Sequence, residues 1–243
     1  MIKQQYDKFV PCGACNHGYI YSRKNKIGDQ YAVKCECLKR YQVFLKLLRA
    51  GLSRSIINYS LDSYIGSESI ENVIKVSDYI EYYKDKFRGV NLYLYGVNGT
   101  QKTTVAQHIG KELIIKGFTV RYVLMNEMIR KLMKEGFDDR VEEDIDQYME
   151  VDCLIIDESF DKSKINWYNS DYQMSFLDSI LRKRIDQLGK SIIFVSNMEV
   201  PSIKENFNNS LYDLIERNTI GTQLEFLDHY TMRDDFDPTS IWE

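Results

Sequence analysis

Residues 92–104 read LYLYGVNGTQKTT, and this stretch decides the fold. An apolar, strand-like run leads into a glycine-bearing loop, and Lys102 then opens a helical pattern. The order matches the nucleoside-triphosphate loop G-x-x-x-x-G-K-[ST] except at one position, where Gln101 replaces the second glycine. The alternative is a chance glycine-rich turn before a helix, and the strand–loop–helix context argues against it.

Each part of this loop predicts a contact with a nucleotide. Successive backbone N–H groups would wrap the β-phosphate, and the following helix adds a favourable dipole. Lys102 would neutralise the β- and γ-phosphate oxygens, and the Thr103 hydroxyl would hold Mg²⁺. Gln101 has a Cβ where glycine lets the backbone approach the phosphate, so a distorted or weakened site is expected. The predicted nucleotide-binding residues are Gly96, Val97, Asn98, Gly99, Thr100, Gln101, Lys102, Thr103 and Thr104.

The composition limits the kind of protein that this chain can be. Its 243 residues suffice for one ordinary domain and a smaller appendage, and 44% hydrophobic content supports a core. A net charge of −4 argues against a free-standing basic nucleic-acid binder. No apolar run is long enough for a membrane span, and the N-terminus lacks the apolar centre of a signal peptide. We therefore expect a cytosolic protein without a membrane partner.

A cysteine cluster marks the N-terminal part of the chain. Two close pairs, C-x₂-C and C-x-C, are separated by 19 residues, a spacing that suits tetrahedral Zn²⁺. Residues 18–21 and 30–33 between the pairs predict a β-hairpin. Four thiolates would leave no position for water, which indicates a structural site; reduced surface cysteines or two disulfides are the alternatives. The candidate zinc ligands are Cys12, Cys15, Cys35 and Cys37.

Beyond the phosphate loop, strand and helix patterns alternate as in a doubly wound α/β fold. A buried strand ends in Asp157 and Glu158, which suits a magnesium-dependent NTPase. Asp157 would hold Mg²⁺ through water, and Glu158 would orient and deprotonate the attacking water. Asn197 ends the next buried strand and could help to position that water. The predicted strands after the loop cover residues 119–124, 151–158 and 191–197.

Two basic segments allow both a structural and a functional interpretation. Residues 39–49 form a basic, amphipathic helix that is either a connector or a surface for a partner protein or nucleic acid. Arg182, Lys183 and Arg184 predict a solvated helix face, with a contact to DNA or a neighbouring subunit as the alternative.

Together these residues resemble the DnaC/DnaI-type helicase loaders, which are close to the IstB transposition ATPases within the AAA+ superfamily. The resemblance covers the cysteine module with residues 18–20, the phosphate loop, Asp157 and Glu158, and the strand end at residues 196–197. It implies a zinc-binding, helicase-interacting module at residues 1–50. A linker at 51–69 and an α/β AAA+ P-loop ATPase domain with a parallel sheet at 70–243 would follow.

The resemblance also implies two catalytic arginines. Residues 211–217, LYDLIER, resemble the family's segment that carries an arginine finger, here Arg217. Residues 230–233, YTMR, resemble the motif whose arginine acts as sensor 2, here Arg233. The alternatives are an ordinary surface charge for Arg217 and an ion pair with a nearby aspartate for Arg233.

The function that the resemblance implies is an ATP-dependent loader, which recruits a replicative DNA helicase and assists its placement on single-stranded DNA. ATP, Mg²⁺ and Zn²⁺ would be its cofactors. An arginine finger acts on a neighbour's nucleotide, so head-to-tail self-association is expected. The protein would work in the cytoplasm of a bacterial cell or a phage-infected host. Two alternatives stay open: an IstB-like transposition ATPase, and a non-hydrolysing nucleotide-binding adaptor, which Gln101 favours.

Overall fold

The computed structural model describes residues 12–21, 32–64, 69–132, 147–161 and 170–227. The chain divides into two compact units, Met1–Arg49 and Ala50–Glu243. The first unit contains the cysteine cluster and a short hairpin. The second contains a five-stranded sheet with its surrounding helices.

The first unit is built on an antiparallel pair of short strands, as the sequence predicts. Strand β1 (Tyr19–Tyr21) pairs with β2 (Ala32–Lys34), and Ile20 lies opposite Val33. Helix α1 (Glu36–Arg49) follows directly after the second strand. The cysteine pairs therefore lie before β1 and at the junction between β2 and α1.

The second unit contains a five-stranded, wholly parallel sheet with the order β4-β5-β6-β3-β7. Every residue of β5 and β6 is buried, as expected for apolar strands that are covered by helices on both faces. The predicted α/β fold with a parallel sheet is confirmed. The strands are β3 (Leu92–Gly96), β4 (Val120–Leu124), β5 (Cys153–Asp157), β6 (Ser191–Ser196) and β7 (Gln223–Phe226).

Helices lie between the strands in sequence and pack against the sheet. A large hydrophobic core includes Tyr93, Phe160 and Phe194 and apolar residues of α4 to α7. Among the described residues, no helix is both long enough and apolar enough to cross a membrane. The helices are α2 (Ser69–Glu81), α3 (Lys102–Ile115), α4 (Met125–Leu132), α5 (Ser170–Arg182), α6 (Val200–Asn206) and α7 (Asn209–Thr219).

Residues 53–64 lie within the linker that the resemblance implies at 51–69. They form two 3-10 turns, Arg54–Asn58 and Leu61–Ser63, each with a buried apolar residue. Lys111 of α3 donates from Nζ to the carbonyl oxygen of Tyr59 at 2.6 Å. Residues 53–64 therefore pack against α3, the helix that follows the phosphate loop, and one of their carbonyl oxygens accepts a hydrogen bond from it.

The basic cluster at the end of α5 is not one solvated face. Lys183 is exposed, but Arg184 is fully buried. Burial lowers the pKa of Arg184 to about 10, and backbone carbonyls replace the usual acidic partner. The predicted solvated face is therefore wrong for Arg184, whose guanidinium is inaccessible to DNA. Its carbonyl acceptors belong to Tyr148, Met149, Val151, Asp152 and Ser191.

Candidate nucleotide-binding site and metal centre

A cleft of about 270 Å³ opens at the carboxyl ends of the central strands. Parallel strands place these ends at one edge of the sheet, which is where ligands bind in open α/β folds. The structure thus brings together the predicted phosphate loop, the two acids and the strand-end asparagine. The lining residues are Asn98, Gly99, Thr100, Gln101, Lys102, Thr103, Thr104, Asp157, Glu158, Val195, Ser196 and Asn197.

Lys102 is the first residue of α3, so its charge and the helix N-terminus act at the same place. Its side chain is buried, and Nζ lies 2.5 Å from the carbonyl oxygen of Val97. The Thr100 hydroxyl donates to the same carbonyl at 2.9 Å. The loop therefore holds the ammonium group at the N-terminus of α3, where phosphate oxygens could replace the carbonyl oxygen as its acceptor.

Gln101 adopts the backbone shape that a glycine would allow. Its φ of 65° and ψ of 10° are left-handed, a conformation that costs a non-glycine residue about 1–2 kcal/mol. Replacing glycine with Gln101 therefore strains the backbone at this residue, but the loop still leads directly into α3. The side-chain Nε2 is buried and has no hydrogen-bond partner. This donor faces no protein acceptor, so an acceptor on a ligand could satisfy it.

Gly96 has a different reason to be glycine. Its φ is 140°, and an added Cβ would lie 2.0 Å from the carbonyl oxygen of Phe226 on β7. Packing against β7 therefore requires glycine at position 96, independently of nucleotide binding. Neither Gly96 nor Val97 lines the cleft, although both were predicted to bind nucleotide.

Both oxygens of the Asp157 carboxylate are held by hydrogen bonds. Oδ1 accepts from the backbone N–H of Glu158 at 2.7 Å, and Oδ2 accepts from the Tyr122 hydroxyl at 2.6 Å. The Asp157 side chain is buried at the end of β5, whereas Glu158 is partly exposed. Glu158 has a left-handed φ of 53°, a kind of strain that is concentrated at functional sites. The arrangement offers a fixed carboxylate for a cation and a second acid beside it.

Tyr122 is a site residue that the sequence interpretation missed. Burial raises the pKa of its hydroxyl, and the neighbouring carboxylate of Asp157 raises it further, so the group stays a neutral donor. Residues 122 and 124 share one face of β4, and Leu124 pairs with Asp157. A tyrosine in a strand pattern does not reveal this contact, which depends on β4 being the neighbour of β5.

The predicted arginines are not part of the described cleft. Arg217 lies on α7, and a guanidinium nitrogen is 3.3 Å from Asp186 Oδ1, with both side chains exposed. This ion pair belongs to one chain, and action on a neighbour's nucleotide stays a prediction. Arg233, the predicted sensor 2, lies outside the described residues.

The four N-terminal cysteines converge in space. Their sulfur atoms all lie within 4.8 Å of one another, and the four residues are free cysteines rather than disulfides. A tetrahedron with Zn–S distances of about 2.3 Å has edges of about 3.8 Å, which fits the observed separations. The cluster could therefore hold one zinc ion. The Sγ–Sγ distances are 3.8 Å for Cys12–Cys15, 3.6 Å for Cys12–Cys35 and 3.5 Å for Cys15–Cys37.

The ionisation of these thiols is consistent with a cation site. A hydrogen bond from the Ala14 backbone, followed by the neighbouring thiols, lowers the pKa of Cys12 to about 7. Desolvation raises the pKa of Cys37 to about 12, and the neighbouring thiols add to this increase. One thiolate thus forms readily, while four together need a positive charge to neutralise them.

Comparison with known proteins agrees with this geometry. The family of IstB-like ATP-binding proteins matches residues 62–211, which include the phosphate loop and both acids. The replicative helicase loader DnaI of Bacillus subtilis (strain 168) is 27% identical over 135 residues. That alignment covers 56% of this chain and 42% of DnaI, so the chain spans less than half of this relative.

Solved structures share the fold. A crystal structure of DnaI gives a TM-score of 0.57 at 20% identity, covering 72% of this chain and 91% of that one. The DnaC helicase loader gives a TM-score of 0.55 at 16% identity, covering 72% and 99%. At this identity the likeness shows only a common fold. Because the matched family covers more than half of the sequence and contains the cleft, the chain belongs to the IstB-like ATP-binding proteins.

Proposed function

We propose that this protein is an ATP-dependent loader, which recruits a replicative DNA helicase and assists its placement on single-stranded DNA. The observation that carries the proposal is the convergence of the phosphate loop, Asp157 and Glu158 in one cleft. The similarity to a chain named as a replicative helicase loader supports the choice of partner.

ATP hydrolysis would use the residues that line the cleft. Lys102 and the backbone N–H groups of the loop bind the phosphates, while Thr103 and Asp157 hold the cation. Mg²⁺ would supply charge neutralisation between the β- and γ-phosphates. Glu158 accepts a proton from the attacking water, and Asn197 orients that water. These residues line the same cleft, which supports a shared role in nucleotide binding and hydrolysis.

The cysteine module would recruit the helicase. One zinc ion held by the four thiolates would stabilise a unit whose three-residue strands offer little core of their own. Ile20 and Val33 lie opposite each other and are 46% and 44% exposed, which provides an apolar surface for a protein partner. The zinc ion would thus stabilise the hairpin that binds the partner and would have no catalytic role.

Nucleotide would control assembly. Arg217 would complete the site of the next subunit in a head-to-tail oligomer, and hydrolysis would loosen the contact and release the helicase. Contact with single-stranded DNA would be electrostatic and tolerant of sequence. Such a loader would work in the cytoplasm of a bacterium or a phage-infected host.

A loading assay on circular single-stranded DNA tests the proposal. Purified replicative helicase, the full-length chain and Mg-ATP are combined, and DNA-bound helicase is measured after gel filtration. We expect the wild type to increase the bound helicase. Glu158→Gln should still capture helicase but should not release it, because hydrolysis is blocked. Failure of the wild type to bind the helicase at all would contradict the proposed function.

A transposition ATPase is the second candidate, and the family match to IstB-like proteins favours it. Such a protein would bind duplex DNA and a transposase. Capture experiments with each partner, and DNA-binding measurements on single and double strands, distinguish the two functions. Equal background rates of ATP hydrolysis for the wild type and Glu158→Gln would instead indicate a non-hydrolysing adaptor.

A further inference from the structure

Tyr122 contacts the carboxylate that would hold the magnesium ion. Its hydroxyl donates to Oδ2 of Asp157 at 2.6 Å, across the β4–β5 pair. Helix α3 packs against the same face of the sheet, since a Cβ at Gly110 would lie 2.8 Å from Ile155 Cδ1. Tyr122 therefore lies beneath the phosphate-loop helix, next to the acid.

Tyr122 is itself held by residues 50–53, the start of the second unit. Its backbone N–H donates to the carbonyl oxygen of Ala50 at 2.7 Å. Gly51 approaches so closely that a Cβ there would lie 2.8 Å from the Tyr122 carbonyl oxygen. These contacts fix the backbone of β4 at the residue that touches Asp157.

Gln107 of α3 connects the same segment to the tyrosine hydroxyl. Its Oε1 accepts from the backbone N–H of Ser53 at 3.0 Å, and its side chain lies close to the Tyr122 hydroxyl, where it partly offsets the rise in that hydroxyl's pKa caused by burial and by Asp157. Gln107 is buried, so its hydrogen bond to Ser53 is shielded from competing water. Contacts thus run from Ser53 through Gln107 and Tyr122 to Asp157.

We propose that Tyr122 is a positioning residue for Asp157, and that residues 50–53 set its position through direct contact and through Gln107. The inference rests on the proposed nucleotide site. Mg²⁺ requires nearly ideal octahedral geometry, so the orientation of a carboxylate that binds it through water matters. The Tyr122 hydroxyl holds one of the two carboxylate oxygens and so restricts that orientation. The stretch that follows the cysteine module therefore determines how well the site uses magnesium.

Magnesium titration of nucleotide binding tests the role of Tyr122. Binding of a fluorescent ATP analogue to the full chain is measured at increasing Mg²⁺ concentrations for the wild type and Tyr122→Phe. Loss of such a supporting hydrogen bond typically weakens metal binding about 10–100-fold, so the required Mg²⁺ should rise at least about tenfold. Binding without Mg²⁺ should not change, because the phosphate loop is intact.

Tyr83→Phe is the matched control. The Tyr83 hydroxyl is also engaged, donating to the Asp152 carbonyl at 3.0 Å and lying 3.1 Å from Ser191 Oγ, but it is not part of the cleft. This variant loses a comparable hydroxyl and should keep the magnesium requirement of the wild type. If the role of Tyr122 were only structural, Tyr122→Phe and Tyr83→Phe would show the same magnesium requirement.

The outcomes separate this inference from the proposed function. An unchanged magnesium requirement in Tyr122→Phe, with the wild type binding Mg-nucleotide normally, overturns the positioning role alone. A wild type that binds no nucleotide overturns both. If Tyr122→Phe does not fold, Gln107→Met removes the amide beside the hydroxyl at similar volume. A raised magnesium requirement in that variant supports the inference, and an unchanged one overturns it.

Discussion

The ammonium nitrogen of Lys102 lies 2.5 Å from the carbonyl oxygen of Val97. Val97 lies in the phosphate loop and Lys102 begins α3, so the protein itself holds the charge where the β- and γ-phosphates are expected. A buried lysine needs such an acceptor, because an unpaired charge in the interior is costly. Phosphate oxygens would replace one neutral carbonyl acceptor with anionic acceptors, which bind an ammonium group more strongly.

Replacing Lys102 should therefore abolish tight nucleotide binding. Loss of a hydrogen bond to a charged group costs about 2 kcal/mol, so Lys102→Ala should weaken Mg-ATP binding about thirtyfold. Isothermal titration measures the difference. Lys111→Ala is the control, because Lys111 is equally buried on α3 but donates to Tyr59 outside the cleft. Equal affinities for wild type and Lys102→Ala would contradict the assignment of the phosphate loop.

Gln101 should be replaceable by glycine but not by a β-branched residue. Gln101→Gly relieves left-handed strain while adding unfolded-state freedom, so the free energy of unfolding should stay within about 1 kcal/mol of wild type. Affinity for Mg-ATP should be retained. Gln101→Val should lose both stability and affinity, since β-branched residues disfavour positive φ. Thermal unfolding and titration test both variants. Weakened binding in Gln101→Gly would show that the buried amide contacts the nucleotide instead.

Removing Arg217 should abolish hydrolysis without unfolding the chain. Arginine fingers contribute about a thousandfold or more to the rate, and Arg217→Ala should lose that factor while still binding ATP. The exposed pair with Asp186 contributes at most about 1 kcal/mol to stability. Asp186→Ala breaks the same pair but keeps the arginine, and should hydrolyse ATP like wild type. Equal rates for Arg217→Ala and Asp186→Ala would exclude the finger.

The cysteine cluster should bind one zinc ion per chain. Elemental analysis of wild type and Cys35→Ser should show the ion in the first and its loss in the second, because a tetrahedral site needs four ligands. Cys153→Ala is the control, since that thiol is buried within β5. A strong chelator should also loosen the hairpin, which would appear as faster proteolysis near residues 12–37. Zinc-free wild type prepared without chelator would refute the metal site.

The sequence by itself determined the phosphate loop, the acids at the end of β5 and the two cysteine pairs. Each is a local pattern in which residue type and spacing already define the chemistry, as with Lys102 at the start of a helix or Asp157 at the end of a strand. The alternation of apolar segments also determined the parallel α/β fold, because buried strands and amphipathic helices differ in period. Gln101 was recognised as a departure, but its left-handed backbone could not be read from the motif.

Only the tertiary structure decided which distant residues meet. Tyr122 touches Asp157 because β4 lies beside β5, and Gly96 is required because β7 runs beside β3. Arg184 looks like a surface charge in the sequence, yet backbone carbonyls from two separate segments, residues 148–152 and Ser191, enclose it. The physical reason is the same in each case. Burial and hydrogen-bond partners depend on strand order and helix packing, which bring together residues that the linear pattern keeps apart.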